Sequence, residues 1–175
     1  MEENLYTKNC IRTFTGLYIN VFEPTPEMIC IEDIAHSLSM QPRFGGHLSE
    51  FYSVAQHCVL MTELVREMYH DKHMLATLLH DASEAYILDI PRPIKNRLTD
   101  YKNVETRLMS LIAFKFAFKF PLYGLIKKAD EVMLEWELNS LMLKNDSCNE
   151  IRCWSHKESE EQFLKTFHKL NKEEK

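Results

Sequence analysis

The 175-residue chain has only four glycines and six prolines. With its long periodic runs, that scarcity leaves helix as the favoured class, and no internal repeat or low-complexity tract interrupts it. Positive charge is not in excess. A net charge of −5 argues against a dedicated nucleic-acid binder, while a local metal or Lys/Arg cluster can still attract a small anion. No apolar run is long enough for a bilayer, since "LMSLIAFKFAFKF" is cut by Lys115 and Lys119. Nor is there a Cys-x-x-Cys pair among Cys10, Cys30, Cys58, Cys148 and Cys153. An odd set of free thiols and a polar, acidic "MEENLYTKNC" in place of a signal pattern predict a cytoplasmic protein.

What is present is apolar material in quantity: 45% hydrophobic residues, with ten Phe and nine Met. That is globular composition, and the length suits one domain over 1–175 with a single core. Residues 10–22 are rich in β-branched and aromatic types around Thr15-Gly16, which predicts a hairpin or extended stretch within an N-terminal arm of 1–29. "IEDIAHSLSM" predicts a short helix, followed by the Gly-Gly loop "QPRFGGH". Ser49 is the expected cap of a long helix with Val54, Cys58, Met61, Val65 and Met68 on one face. A further helix is expected from about Lys72 to Tyr86. From Asp100 to about Lys119 two periods compete. Phe114, Phe116, Phe118 and Phe120 alternate like a strand, whereas Leu108, Leu111, Ile112 and Phe116 repeat like a helix; helix is favoured. Its wide apolar arc suits burial or a homo-oligomer interface. A helix after Pro121 runs to about Lys144, and Ser155-x-x-Glu158 opens a last one over 155–172 with Phe163, Leu164, Phe167 and Leu170. Met61, Met68, Met133 and Met142 are expected in the core, and His70, His73, His156 and His168 at the surface. The fold expected is an all-α compact bundle.

Within "LLHDASEAYILDIPRP" four ionisable groups, His80, Asp81, Glu84 and Asp89, share ten residues. Adjacent imidazole and carboxylate suit Zn, Mn, Co or Fe better than Ca. Further ligands must come from other helices, and His57 and Asp130 border apolar stripes there. Glu84 lies one turn on, placed to manage a proton, and Asp89 to meet a sugar hydroxyl or a second ion. The plainer reading makes His57 a structural histidine, pairs Asp130 with Lys127 or another surface base, and leaves Arg43 and His47 as parts of a turn.

"YSVAQHC", "LLHDASEAY" and "IKKADEVM", in that order, resemble the His…His-Asp…Asp ligand set of HD-domain phosphohydrolases. The likeness runs from "FTGLYINVFEPTPEM" to "KKADEVMLEWEL" and is closest to small phage and prophage members akin to bacterial 5′-deoxynucleotidases. It implies a compact HD-domain bundle with His57, His80, Asp81 and Asp130 holding a divalent transition metal (Zn, Co or Mn). Glu84 and Asp81 are then catalytic. Arg43 grips phosphate, Phe44 packs on the deoxyribose where cellular members carry Trp, and His47, Asp89, Lys95 and Lys127 complete the substrate contacts. The phage branch includes dATP triphosphohydrolases, which release deoxyadenosine and triphosphate, with additional Mg or Mn on the substrate. The resemblance thus implies a dATP triphosphohydrolase in phage nucleotide-pool control, acting in the host cytoplasm as a dimer or hexamer without nucleic-acid or membrane partners. A 5′-deoxynucleotidase, or a nucleotide-binding regulator with an inactive HD site, is the alternative.

Overall fold

A computed structural model describes residues 9–69, 73–145, 147 and 149–173. The expectations for His70, Cys148, the helix start at Lys72 and the first eight and last two residues lie outside them. A two-stranded antiparallel hairpin, β1 (Ile11–Arg12) and β2 (Tyr18–Ile19), opens the described chain. Gly16, at φ 92°, supplies the left-handed residue its turn needs. The tip is fastened to the first helix through buried Asp33, whose carboxylate accepts from Thr15 N at 2.7 Å and Thr15 Oγ1 at 2.9 Å.

Helix α1 (Ile31–Met40) has the predicted bounds. Ile31, Ile34, Ala35 and Leu38 bury one stripe, and Gln41-Pro42 stops it. Helix α2 (Val54–Tyr69) buries Val54, Cys58, Met61 and Val65 as expected. Its cap is Ser53 rather than Ser49, because Ser53 Oγ accepts from Gln56 N at 3.0 Å. Met68 is exposed, since the stripe turns away from the core in the last turn of α2, and Met142 is exposed beyond α7.

The helix expected through Tyr86 is three pieces: α3 (Met74–Leu78), a turn over 79–83, and α4 (Glu84–Ile87). The short α5 (Arg92–Lys95) follows Pro91. Helix α6 (Thr99–Lys115) ends earlier than expected. Neither period continues beyond it: Phe114 is 76% exposed, while Phe116, Phe118 and Phe120 pack back on the core from irregular chain. Helix α7 (Gly124–Glu137) continues as a π-type turn, Leu138–Met142. Ser155 Oγ caps α8 (His156–Glu173) by accepting from Glu158 N at 3.1 Å, but Glu158 pairs with Arg152 instead of closing the box. Helix α8 packs on α1, α2 and α3, with Phe163, Phe167 and Leu170 buried. The architecture is all-α, and no helix among the described residues is long and apolar enough to cross a membrane.

Candidate metal centre

Three elements bring four side chains to one point. Helix α2 carries His57, the 79–83 turn carries His80 and Asp81, and α7 carries Asp130. In that turn Ala82 N bonds Leu79 O at 3.1 Å and Glu84 N bonds Asp81 O at 2.9 Å. These tighter i to i+3 bonds wind the chain so that both His80 and Asp81 reach the same place. Buried Leu79 and Ala82 anchor it.

The separations are those of ligands around an ion. His57 Nε2 lies 3.3 Å from His80 Nε2, 3.5 Å from Asp130 Oδ1 and 3.9 Å from Asp81 Oδ2, and His80 Nε2 is 3.0 Å from Asp81 Oδ2. Two donors about 2.0–2.1 Å from one metal stand roughly 2.9 Å apart at a right angle and about 3.4 Å apart at the tetrahedral angle. The tautomers fit too. His80 Nδ1 is 2.9 Å from Thr77 O and His57 Nδ1 is 2.6 Å from Glu137 Oε1. Both partners only accept, so each Nδ1 carries a hydrogen, which leaves each Nε2 as the nitrogen that a metal would take in place of a proton. Cys58 also neighbours His80, with Sγ 4.0 Å from Nδ1, but that nitrogen is committed to Thr77. Without a metal, burial pushes the Cys58 thiol up to about 11. Two overlapping groups could hold a divalent metal, His57 with His80 and Asp130, and His80 with Asp81 and Cys58. Asp81 Oδ2 joins the first through His80 Nε2 at 3.0 Å and His57 Nε2 at 3.9 Å, a set of two nitrogens and two carboxylates.

The surrounding charges are uneven. Burial opposes ionisation of Asp81, but His80, His57 and Arg43 outweigh it and hold its carboxyl well below the usual range. Asp130 is lowered likewise, against burial, by His57 and His80. Glu84 goes the other way: burial, Asp81 and Asp89 raise it, opposed by Lys95. Burial raises Asp89 as well.

The loop after α1 is closed by a bridge between Pro42 and Ser53, with Arg43 N bonded to Tyr52 O at 2.8 Å. This turns Arg43 inward, where Nη2 meets Glu137 Oε2 at 2.7 Å and Nη1 stands 3.9 Å from Asp81 Oδ2. Phe44 (φ 55°) and Gly45 (φ 61°) carry the loop over, close enough that a Cβ on Gly45 would touch Pro91 at 3.7 Å. Asp89 is held beside this loop by its N–H, which donates to Gln41 Oε1 at 3.0 Å. Lys95 reaches Glu84 at 3.1 Å and also pairs with Glu105. His47 and Lys127 are exposed, and among the described residues neither is hydrogen-bonded or ion-paired to the cluster.

Sequence reasoning missed Glu137, Arg92 and Gln41. Asp130 pairs at 3.1 Å with Arg92, a surface base other than Lys127, as the plainer reading allows. Glu137 had a readable signal: it continues the apolar stripe Ile126, Ala129, Met133 of α7, seven residues beyond Asp130.

Fold and site together define a helical protein with a candidate divalent-metal centre. The chain belongs to the family of "Uncharacterized protein YfdR" of Escherichia coli (strain K12), with which it is 42% identical over 137 residues, 78% of this chain and 75% of the relative. It is also 32% identical over 140 residues to "Uncharacterized protein RCAP_rcc00048" of Rhodobacter capsulatus, covering 74% of this chain and 71% of that protein. No family model matches the chain.

Proposed function

We propose that the protein is a metal-dependent phosphohydrolase of the HD-domain kind that acts on 5′-deoxynucleotides, dATP first among them. The observation that carries this is the convergence of His57, His80, Asp81 and Asp130, with both Nδ1 nitrogens committed to other acceptors and both Nε2 nitrogens facing the cluster. The choice of dATP, and of a cytoplasmic setting in phage nucleotide-pool control, rests on the resemblance of the motifs.

A divalent ion such as Zn, Co or Mn, when held there, supplies Lewis-acid charge and acidifies water at neutral pH. The chain's own groups account for the rest. Arg43 offers Nη1 and its buried, unpartnered Nε towards phosphoryl oxygens. Water adds to the α-phosphorus, the bond to the 5′-oxygen breaks, and that oxygen takes a proton. Glu84, whose carboxyl is raised by burial, Asp81 and Asp89, supplies it from Oε2, which has no other partner among the described residues, and is reprotonated as the attacking water sheds its proton. Arg92 and Lys95 flank the acids with positive charge, which suits a polyphosphate tail in an otherwise acidic protein. Phe44 at the mouth is the surface for the sugar, Asp89 contacts its hydroxyl, and Lys127 and His47 remain outer contacts. Self-association as a dimer or hexamer would use the exposed Phe114 edge of α6.

The test is incubation of protein loaded with Co, Mn, Zn or Mg with each dNTP, dNMP and NTP, and chromatography of the products. Deoxyadenosine and intact triphosphate from dATP are expected. Orthophosphate released from several dNMPs would make the protein a 5′-deoxynucleotidase instead. No hydrolysis across the panel would overturn the enzymatic reading in favour of a nucleotide-binding regulator.

A further inference from the structure

Glu137 is wholly buried, and groups from other elements take both of its oxygens. Oε1 accepts from Tyr52 Oη at 2.7 Å and from His57 Nδ1 at 2.6 Å, and Oε2 accepts from Arg43 Nη2 at 2.7 Å. A carboxylate taken out of water is costly unless its lone pairs are met in this way. Two of its three partners lead directly to the site. The far nitrogen of His57 faces His80 and Asp130 at 3.3 and 3.5 Å. The guanidinium of Arg43, whose only hydrogen bond among the described residues is the one to Glu137, stands 3.9 Å from Asp81. One carboxylate thus fixes the tautomer and plane of a ligand histidine and the aim of the anion-facing arginine.

We infer that Glu137 is a positioning residue that couples metal retention to anion binding, an inference that rests on the metal-centre reading above. It touches neither the metal position nor the reacting atoms and acts through His57 and Arg43. Outer partners of metal-bound histidines typically contribute about 10- to 100-fold in metal affinity. Removing the Glu137 charge therefore weakens both functions together, whereas loss of a core side chain of equal size lowers stability alone.

The experiment compares wild type with Glu137→Gln. Cobalt(II) affinity is measured by chelator competition, the cobalt absorption spectrum is recorded, and inorganic triphosphate is titrated into the cobalt-saturated proteins. A folded variant should bind cobalt about 10- to 100-fold more weakly, with an altered spectrum and weaker triphosphate binding even at saturating metal. Unchanged affinity and spectrum in a folded variant overturn the inference. Should Glu137→Gln not fold, nitrogen-15 spectra of wild type decide: a hydrogen on His57 Nδ1, shifted far downfield, is the expected result, and a metal-free protein whose His57 carries a hydrogen on Nε2 but none on Nδ1 overturns it. Wild type that retains no cobalt would instead overturn the metal centre itself, a failure distinguishable because it precedes any substitution.

Discussion

Lys95 Nζ lies 3.1 Å from Glu84 Oε1, on a carboxyl whose other oxygen is buried with no hydrogen-bond partner among the described residues. One oxygen of Glu84 is therefore tethered and the other is buried and unpartnered. A protonated acid in that setting donates from Oε2 while Lys95 keeps it aimed. Glu84→Gln should retain metal like wild type but lose turnover by about 10²- to 10⁴-fold, the ordinary range for a general acid. Parallel measurement of bound metal and kcat checks this; an active Glu84→Gln would remove the acid role.

The same residue carries a pH signature in the metal-free protein. Burial, Asp81 and Asp89 raise the folded carboxyl above its ordinary 4.5. Its contribution to stability is therefore present below that value and is lost as pH rises through the raised one. The melting temperature of Glu84→Gln minus that of wild type should increase with pH across this window. A flat or falling difference in chelator-treated protein contradicts the raised value.

Leu88 adopts φ 70°, ψ 153°, a region that side chains avoid. Three ties hold it there. Its N–H bonds Glu84 O at 2.9 Å, its carbonyl accepts from Tyr101 Oη at 2.6 Å, and the next N–H reaches Gln41 at 3.0 Å. The strain costs about 1–3 kcal/mol, against about 0.5–1 kcal/mol for the extra freedom glycine loses on folding. Leu88→Gly should therefore leave stability unchanged or raise it by about 1 kcal/mol in denaturant unfolding. A clear loss would mean that the side chain, though exposed, does more than the backbone suggests.

These local features mark where the sequence is and is not legible. Helix α1 is readable because apolar period and stop signal agree at both ends. The candidate ligands His57, His80, Asp81 and Asp130 are readable because each breaks or borders an apolar stripe with a polar group. The break between α3 and α4 is not. "LLHDASEAY" contains neither Gly nor Pro, and the turn exists because buried Leu79 and Ala82 are drawn to the core while His80 and Asp81 face the cluster. Arg92 is invisible for a related reason: only the folded chain brings it across to Asp130, 38 residues away.

Arg92 is 56% exposed, and a bridge so open to water is worth about 0–1 kcal/mol. Arg92→Ala should barely alter stability. On the proposed reaction it should raise KM for a triphosphate substrate several-fold with little change in kcat, because it sits at the rim. Steady-state kinetics separate the two; a fall in kcat alone would place Arg92 in the chemical step.

Two phenylalanines separate core from contact surface. Phe163 is wholly buried in α8, and Phe163→Ala should cost about 3–5 kcal/mol. Phe114, at the exposed edge of α6, should leave subunit folding nearly unchanged when replaced by Glu yet dissociate the proposed oligomer. Light scattering coupled to size exclusion checks it. A wild type that is already monomeric would end the proposal.

The most direct measurement is metal stoichiometry after loading with cobalt or manganese and exhaustive dialysis, for wild type and for Asp81→Ala, with dATP turnover followed on the same samples. The account predicts about one tightly held ion per wild-type chain, consistent with a single four-donor set. It predicts deoxyadenosine and triphosphate from the wild type, and loss of both ion and turnover from a variant that keeps its helical spectrum. Equal metal and equal activity in the two proteins, or a wild type that holds no ion, would contradict it.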